Sequence, residues 1–219
     1  MNIKEKFFDI FNMYTEKKSV RKKISKTLKK LLPYQIDVSL VRLGEKNDGG
    51  YLVPDDLVGI DKNYSAGVGF LTQYEKDLEE KYSIKSNMLD FNEIDKTILP
   101  SEASFLKKKL GLVSNNQEIS INDWIVQVDK DIILKIDIEG DEYASLIDIS
   151  EENLKKVRIL VIEFHDLRNL RNNLFLNFFD KVINKLENYF YVCHLHINNT
   201  SKIKKIGDFL VPDMIELTF

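Results

Sequence analysis

The run Ile132-Ile133-Leu134-Lys135-Ile136 leads straight into Asp137 and Glu139, and two later runs repeat the arrangement. Ile159-Leu160-Val161-Ile162 leads to Glu163 and His165, and Tyr189-Phe190-Tyr191-Val192 leads to His194 and His196. Nearly continuous β-branched runs suit strands buried on both faces of a parallel sheet. Alternate residues of a strand share a face, so each pair would set two functional groups side by side at a strand's exit. Parallel neighbours bring those exits to one edge, where open α/β sheets bind ligands. The pattern predicts one crevice that collects carboxylates and the chain's three histidines.

With 219 residues, 43% of them hydrophobic, the chain can bury one sizeable core. Charge divides it. Met1 to Leu32 holds ten basic and three acidic residues, net +7, and the remainder holds 22 basic and 32 acidic, net -10. We read residues 1–35 as a basic helical segment and 36–219 as the domain proper. An acidic body makes nucleic acid a poor partner, although the leader could bind phosphates without specificity. No run approaches the ~18 apolar residues of a membrane span, and the start lacks the apolar core of a signal peptide. The single cysteine, Cys193, allows neither an internal disulfide nor a cysteine zinc cluster. A cytoplasmic protein is expected.

From Lys17 to Leu32 there are eight basic residues and no acidic one, while Val20, Ile24, Leu28, Leu31 and Leu32 recur at helical spacing until Pro33. Such a helix either packs its apolar stripe on the body or makes peripheral contact with anionic lipid through residues 17–32. Beyond it, strands are expected over Asn63 to Val68, Ser86 to Asp90, Gln117 to Ile121, the two runs ending at Asp137 and Glu163, Tyr189 to His196, and Met214 to Phe219. Helices are expected from Thr72-Gln73-Tyr74-Glu75, a capping-box spacing, through Lys81, from Ser101 to Leu110 before Gly111, and from Leu170 to Glu187. Strands interleaved with helices imply a doubly wound α/β sandwich.

Ala66-Gly67-Val68-Gly69 follows a strand and precedes a capped helix, so Gly67 and Gly69 permit close approach of backbone to a ligand. The third glycine of the dinucleotide fingerprint would fall at Thr72, which removes support for a nicotinamide or flavin dehydrogenase. Asp90 lies 21 positions after Gly69, where a carboxylate can accept hydrogen bonds from ribose hydroxyls.

Arg42-Leu43-Gly44, Asp48-Gly49-Gly50-Tyr51, the Gly67/Gly69 turn with Tyr74-Glu75, and Lys135-Ile136-Asp137-Ile138-Glu139-Gly140 resemble, in that order, the FkbM-like family of S-adenosylmethionine-dependent methyltransferases. Glu163-Phe164-His165, His194-Leu195-His196 with Asn198-Asn199, and Pro212 followed by Glu216-Leu217-Thr218 are similar to its DGGY-containing branch. The resemblance covers roughly Val41 to Phe219. It implies a Rossmann-like sheet of seven strands with the last antiparallel, and S-adenosylmethionine over the first two. It also implies methyl transfer to a hydroxyl of a sugar, polysaccharide precursor or related metabolite. The single GxG departs from a fuller glycine run.

On that reading Gly67, Gly69, Asp90 and Asp137 hold the cofactor, and Asp48, Gly49, Gly50 and Tyr51 wall it. Asp137 and Glu139 shape the reacting edge. Positioning supplies most of the rate of an in-line displacement, and a general base adds a factor of about 10²–10⁴. His165 is the first candidate for that base and His194 the second, because an imidazole titrates near working pH. His196 reads as a packed residue, Glu75 as a cap and Lys135 as a structural ion pair with Asp137. The same carboxylates and histidines could hold a divalent metal, so a metal-dependent hydrolase or oxygenase stays open. So does a non-catalytic module that keeps the fold and binds a partner through its leader.

Overall fold

The computed structural model describes residues 18–126, 128, 130–206 and 208–219. The leader's residues 1–17 lie outside the described residues. Helix α1 (Lys18–Lys29) is followed by a hairpin, β1 (Leu40–Gly44) antiparallel to β2 (Gly50–Pro54). Then come β3 (Lys62–Ala66), α2 (Gln73–Tyr82), β4 (Lys85–Asp90), β5 (Ser104–Lys107), β6 (Lys109–Gly111), β7 (Glu118–Ser120) and the single turn α3 (Ile121–Trp124). Next are β8 (Ile132–Ile136), α4 (Glu142–Asp148), α5 (Glu151–Leu154), β9 (Val157–Phe164) and α6 (Asn173–Leu186). The chain closes with β10 (His194–Ile197), β11 (Ile203–Ile206), β12 (Phe209–Pro212) and β13 (Ile215–Thr218).

The central sheet has seven strands in the order β10-β13-β9-β8-β3-β4-β5. The five from β9 to β5 are parallel, and β13 runs antiparallel between β9 and β10. Every residue of β8 is buried because both faces are covered. Leu134, Ile136, Leu160 and Ile162 pack with Tyr143 and Leu146 of α4, Phe179 and Val182 of α6, and Ile24 of α1. Ile133, Ile159 and Val161 pack on the opposite face against Leu43, Tyr51 and Val53 of the hairpin and Tyr74 and Leu78 of α2.

Helix α1 packs its stripe on the body. Ile24 and Leu31 enter the main core, Thr27 donates its hydroxyl to Asp180 at 2.8 Å, and Lys30 pairs with Glu187 at 2.7 Å. Among the described residues no helix is long and apolar enough to cross a membrane.

Three expectations are corrected. Residues 101–110 form no helix. Phe105 and Leu106 suit either spacing, and the open edge of β4 takes the segment as β5, pairing Met88 with Phe105. Gly111 is not a helix stop but closes β6, where an added Cβ would meet the Glu118 carboxylate at 2.8 Å. The strand expected from Tyr189 begins only at His194, since Tyr189 and Phe190 still donate their N–H groups to the Leu186 carbonyl that ends α6. Helix α6 starts at Asn173 rather than Leu170, because the Asn172 side chain caps it by accepting from Leu174 N–H at 2.8 Å.

Ile24→Ala, which empties a fully buried site in α1, should cost roughly 2–5 kcal/mol in urea unfolding. Ile203→Ala, at a position 58% exposed, should stay within about 0.5 kcal/mol. Equal and small losses would show that α1 contributes nothing to the core.

Candidate active site

The chain reverses its direction of sheet growth at β3, which lies between β4 and β8, and a cavity of about 640 Å³ opens at the carboxyl ends of these strands. Such a switch point is where α/β sheets take their ligands. Register builds the rim. Leu89, Ala66, Ile136, Ile162, Leu217 and Leu195 stand level across six strands. One residue further out come Asp90, Gly67, Asp137, Glu163, Glu216 and His196.

Gly67, Gly69, Asp90, Asp48, Gly49, Tyr51, Asp137 and Glu139 all line the cavity; Gly50, His165 and His194 do not. Gly67 adopts φ +77°, and a Cβ there would lie 1.5 Å from the Asp137 carbonyl oxygen, so close approach of two strand exits demands glycine. At Gly69 an added Cβ would meet nothing within 4 Å, which leaves open space beside the backbone. Asp90 accepts Gly69 N–H on Oδ2 at 2.9 Å and Asn92 N–H on Oδ1 at 2.7 Å. One lone pair on each oxygen remains. The Asp48-Gly49-Gly50-Tyr51 turn joins β1 to β2, and Tyr51 donates its hydroxyl to Asp137 Oδ2 at 3.1 Å.

Beneath this wall the carboxylates crowd. His165 Nε2 lies 3.5 Å from Glu139, 3.7 Å from Glu163 and 3.9 Å from Asp137, and its Nδ1 lies 3.4 Å from Glu142. Burial disfavours the imidazolium, but Glu142, Asp137 and Glu163 outweigh it and lift His165 to about 9. Burial and the neighbouring Asp137 raise Glu163 to about 8 and Glu216 to about 7. Burial raises Asp137 too, against the pull of Lys135 and His165. The surplus proton belongs to the set rather than to one residue. The carboxylates around it favour the imidazolium, and His165 does not line the cavity, unlike the free imidazole base expected from sequence.

His194 sits on edge strand β10, its ring stacked with that of His196 at 6.4 Å, and burial lowers its pKa. His196 is half-buried rather than packed in the core.

Sequence reasoning misassigned or missed several groups. Glu75 is no cap: Thr72 makes no side-chain cap bond and instead donates to the Ile98 carbonyl. Glu75 is fully buried, accepts the Ser65 hydroxyl at 2.5 Å and pairs with Lys135 at 3.8 Å. The contact of Lys135 is thus with Glu75, and it acts on Asp137 at longer range. The Lys135 ammonium lies over the rings of Tyr51 and Tyr74 at 5.4 and 5.8 Å. Glu142 was overlooked, as was the role of Asn198, which donates to Glu163 at 3.0 Å. The alternation Ile215, Glu216, Leu217 was a readable sign that Glu216 faces away from the apolar layer.

Residues 53–193, more than half of the chain, match the family model of the methyltransferase FkbM domain. The match holds Gly67, Gly69, Asp90, Asp137, Glu163 and His165, and ends before Asn198 and Glu216. No curated protein matches the chain.

The raised groups carry the same sign, as His165 and Glu163 show. His165 contributes stability that is complete below its ordinary 6.5 and lost as pH rises through about 9. Glu163, protonated more readily in the folded state, loses its share between 4.5 and about 8. Urea midpoints, measured with chelator present, should fall from pH 6 to pH 9, and Glu163→Gln should flatten that fall. A slope unchanged by the substitution would show that Glu163 does not share the proton.

Proposed function

The chain belongs to the FkbM methyltransferase family, and from that premise we propose an S-adenosylmethionine-dependent O-methyltransferase. Its acceptor is a hydroxyl of a sugar, glycan precursor or related metabolite. The observation that carries the cofactor assignment is the cavity at the switch point, walled by Gly67, Gly69 and Asp90. Its volume of about 640 Å³ suits a small-molecule site, which spans ~300–1,000 Å³. Asp90 keeps one acceptor lone pair on each oxygen for the two ribose hydroxyls, and Gly69 leaves the space a side chain would fill.

S-adenosylmethionine, when bound, supplies a methyl group made electrophilic by its sulfonium. The chain's own residues do the rest. Asp48, Asp137 and Glu139 line the cavity and are able to accept hydrogen bonds from hydroxyls, which supports a polyhydroxylated acceptor. Asp137 is the group we assign to receive the acceptor's proton, steadied by the Tyr51 hydroxyl. His165 acts through Asp137 and Glu139 as a positioning residue, since a charge behind them holds both carboxylates in place. The hairpin turn of Asp48, Gly49 and Tyr51 walls off solvent on one side.

Isothermal titration should show wild-type protein binding S-adenosylhomocysteine and Asp90→Ala losing at least tenfold in affinity. Asp137→Asn should lower kcat by about 10²–10⁴ in label transfer from S-adenosylmethionine to a nucleotide-sugar or glycan extract, measured at saturating cofactor. No binding by the wild type would end the cofactor reading. Binding without transfer to any acceptor would favour a non-catalytic module.

A further inference from the structure

Asp137, Glu163 and His165 each offer one ligand atom within 4.8 Å of the others, from two adjacent strand ends. The three carboxylate oxygens around His165 Nε2 stand at 3.5 to 3.9 Å. Ordinary hydrogen bonds to nitrogen run ~2.7–3.2 Å, so the group is spaced too widely to satisfy itself. The distances from Nε2 to the oxygens fall in the range of donors that share an ion. Two atoms each ~2.1 Å from a cation lie ~3.4 Å apart in a tetrahedron and ~4.2 Å apart when opposite.

His165 is only 6% exposed, and its Nε2 is aimed into the cluster. Its other nitrogen is backed by a buried carboxylate. Glu142 Oε1 faces Nδ1 at 3.4 Å and accepts the His165 backbone N–H at 2.8 Å, while Oε2 accepts Gly140 N–H at 2.8 Å. At that distance Nδ1 has no hydrogen-bond partner, but the carboxylate stands where metal sites place the group that fixes a histidine and turns its second nitrogen to the ion.

We propose that Asp137, Glu163 and His165 form a binding site for one divalent first-row transition ion of the Mn²⁺ class, the ion taking the place of the proton that the set otherwise shares. An imidazole among the ligands disfavours Mg²⁺ and Ca²⁺, which take oxygen. No thiolate is at hand, because Cys193 is buried and donates its Sγ hydrogen to the Thr218 carbonyl. Asp137 and Glu139 also line the cavity, so the ion's remaining positions open toward it, where an acceptor oxygen would sit.

The test uses the full chain without cofactor or acceptor, so it stands or falls apart from methyl transfer. Titration with MnCl₂, followed by the electron paramagnetic resonance signal of the free ion, should show one Mn²⁺ bound per chain. ZnCl₂ should displace it, and tenfold higher MgCl₂ or CaCl₂ should not. Glu142→Gln should weaken Mn²⁺ binding ~10–100-fold, and Glu163→Gln at least as much. These carboxylates are buried, so a measurement on the native chain keeps the proposal falsifiable should a variant fail to fold. Among three histidines, Zn²⁺ should shift the ring resonances of His165 alone, assigned by elimination with His194→Gln and His196→Gln. Absence of stoichiometric binding would overturn the site. So would unchanged affinity in a folded Glu163→Gln, or Zn²⁺ shifting the stacked His194 and His196 pair instead.

Discussion

The approach of β3 to β8 at their carboxyl ends fixes everything built above it. Asp137 N–H donates to the Ala66 carbonyl at 3.0 Å, and Gly67 N–H donates to Leu89 at 2.9 Å, so the ladder continues past the strands. Because Gly67 has no Cβ, the Asp137 carbonyl can lie against its Cα. A one-residue slip of β8 would turn Asp137 and Lys135 into the apolar layer beneath α4 and α6, and Ile136 toward the cavity. Leu134 and Ile136 are both fully buried in that layer, which makes the slip prohibitive.

The two sheet faces then have different characters. One is apolar throughout its centre. The other carries Ser65, Lys135, Asp137, Glu163 and Glu216 in adjoining register rows, a costly placement for charge unless every group finds a partner. The partners come from outside the sheet: Glu75 from α2, Tyr51 from the hairpin and Asn198 from the turn after β10. Burial of this layer leaves more acid than base, and that imbalance keeps protons on groups that would otherwise be free.

Much of this was legible in sequence, and the illegible parts have common causes. The runs at 132–136 and 159–162 were readable because strands buried on both faces leave little room for polar interruption. Asp137 and Glu163 were readable as neighbours because parallel strands align their exits. Residues 101–110 were not, since an edge strand is decided by the neighbour that offers hydrogen bonds rather than by its own side chains. Glu75 satisfied a capping-box spacing while its partner, Lys135, lies 60 positions away in the chain. Local patterns cannot show long-range pairs. His165 was readable as a site residue but not its raised pKa, because that depends on Glu142, Asp137 and Glu163, drawn from three segments.

The hairpin shows why wall and cluster cannot be separated. It stands outside the central sheet, yet Thr218 donates its hydroxyl to the Leu52 carbonyl at 2.8 Å and Gly44 N–H donates to Asp77 at 2.9 Å. Tyr51 completes the attachment, with its ring edge-on to Tyr74 at 5.5 Å, its face toward Lys135 and its hydroxyl on Asp137. One side chain thus lines the cavity, covers the buried Lys135 and Glu75 pair, and occupies a lone pair of the rim carboxylate. Any displacement of the hairpin would expose the polar layer and release Asp137 together, so the integrity of the wall and the electrostatics of the carboxylate rim are set by the same contact.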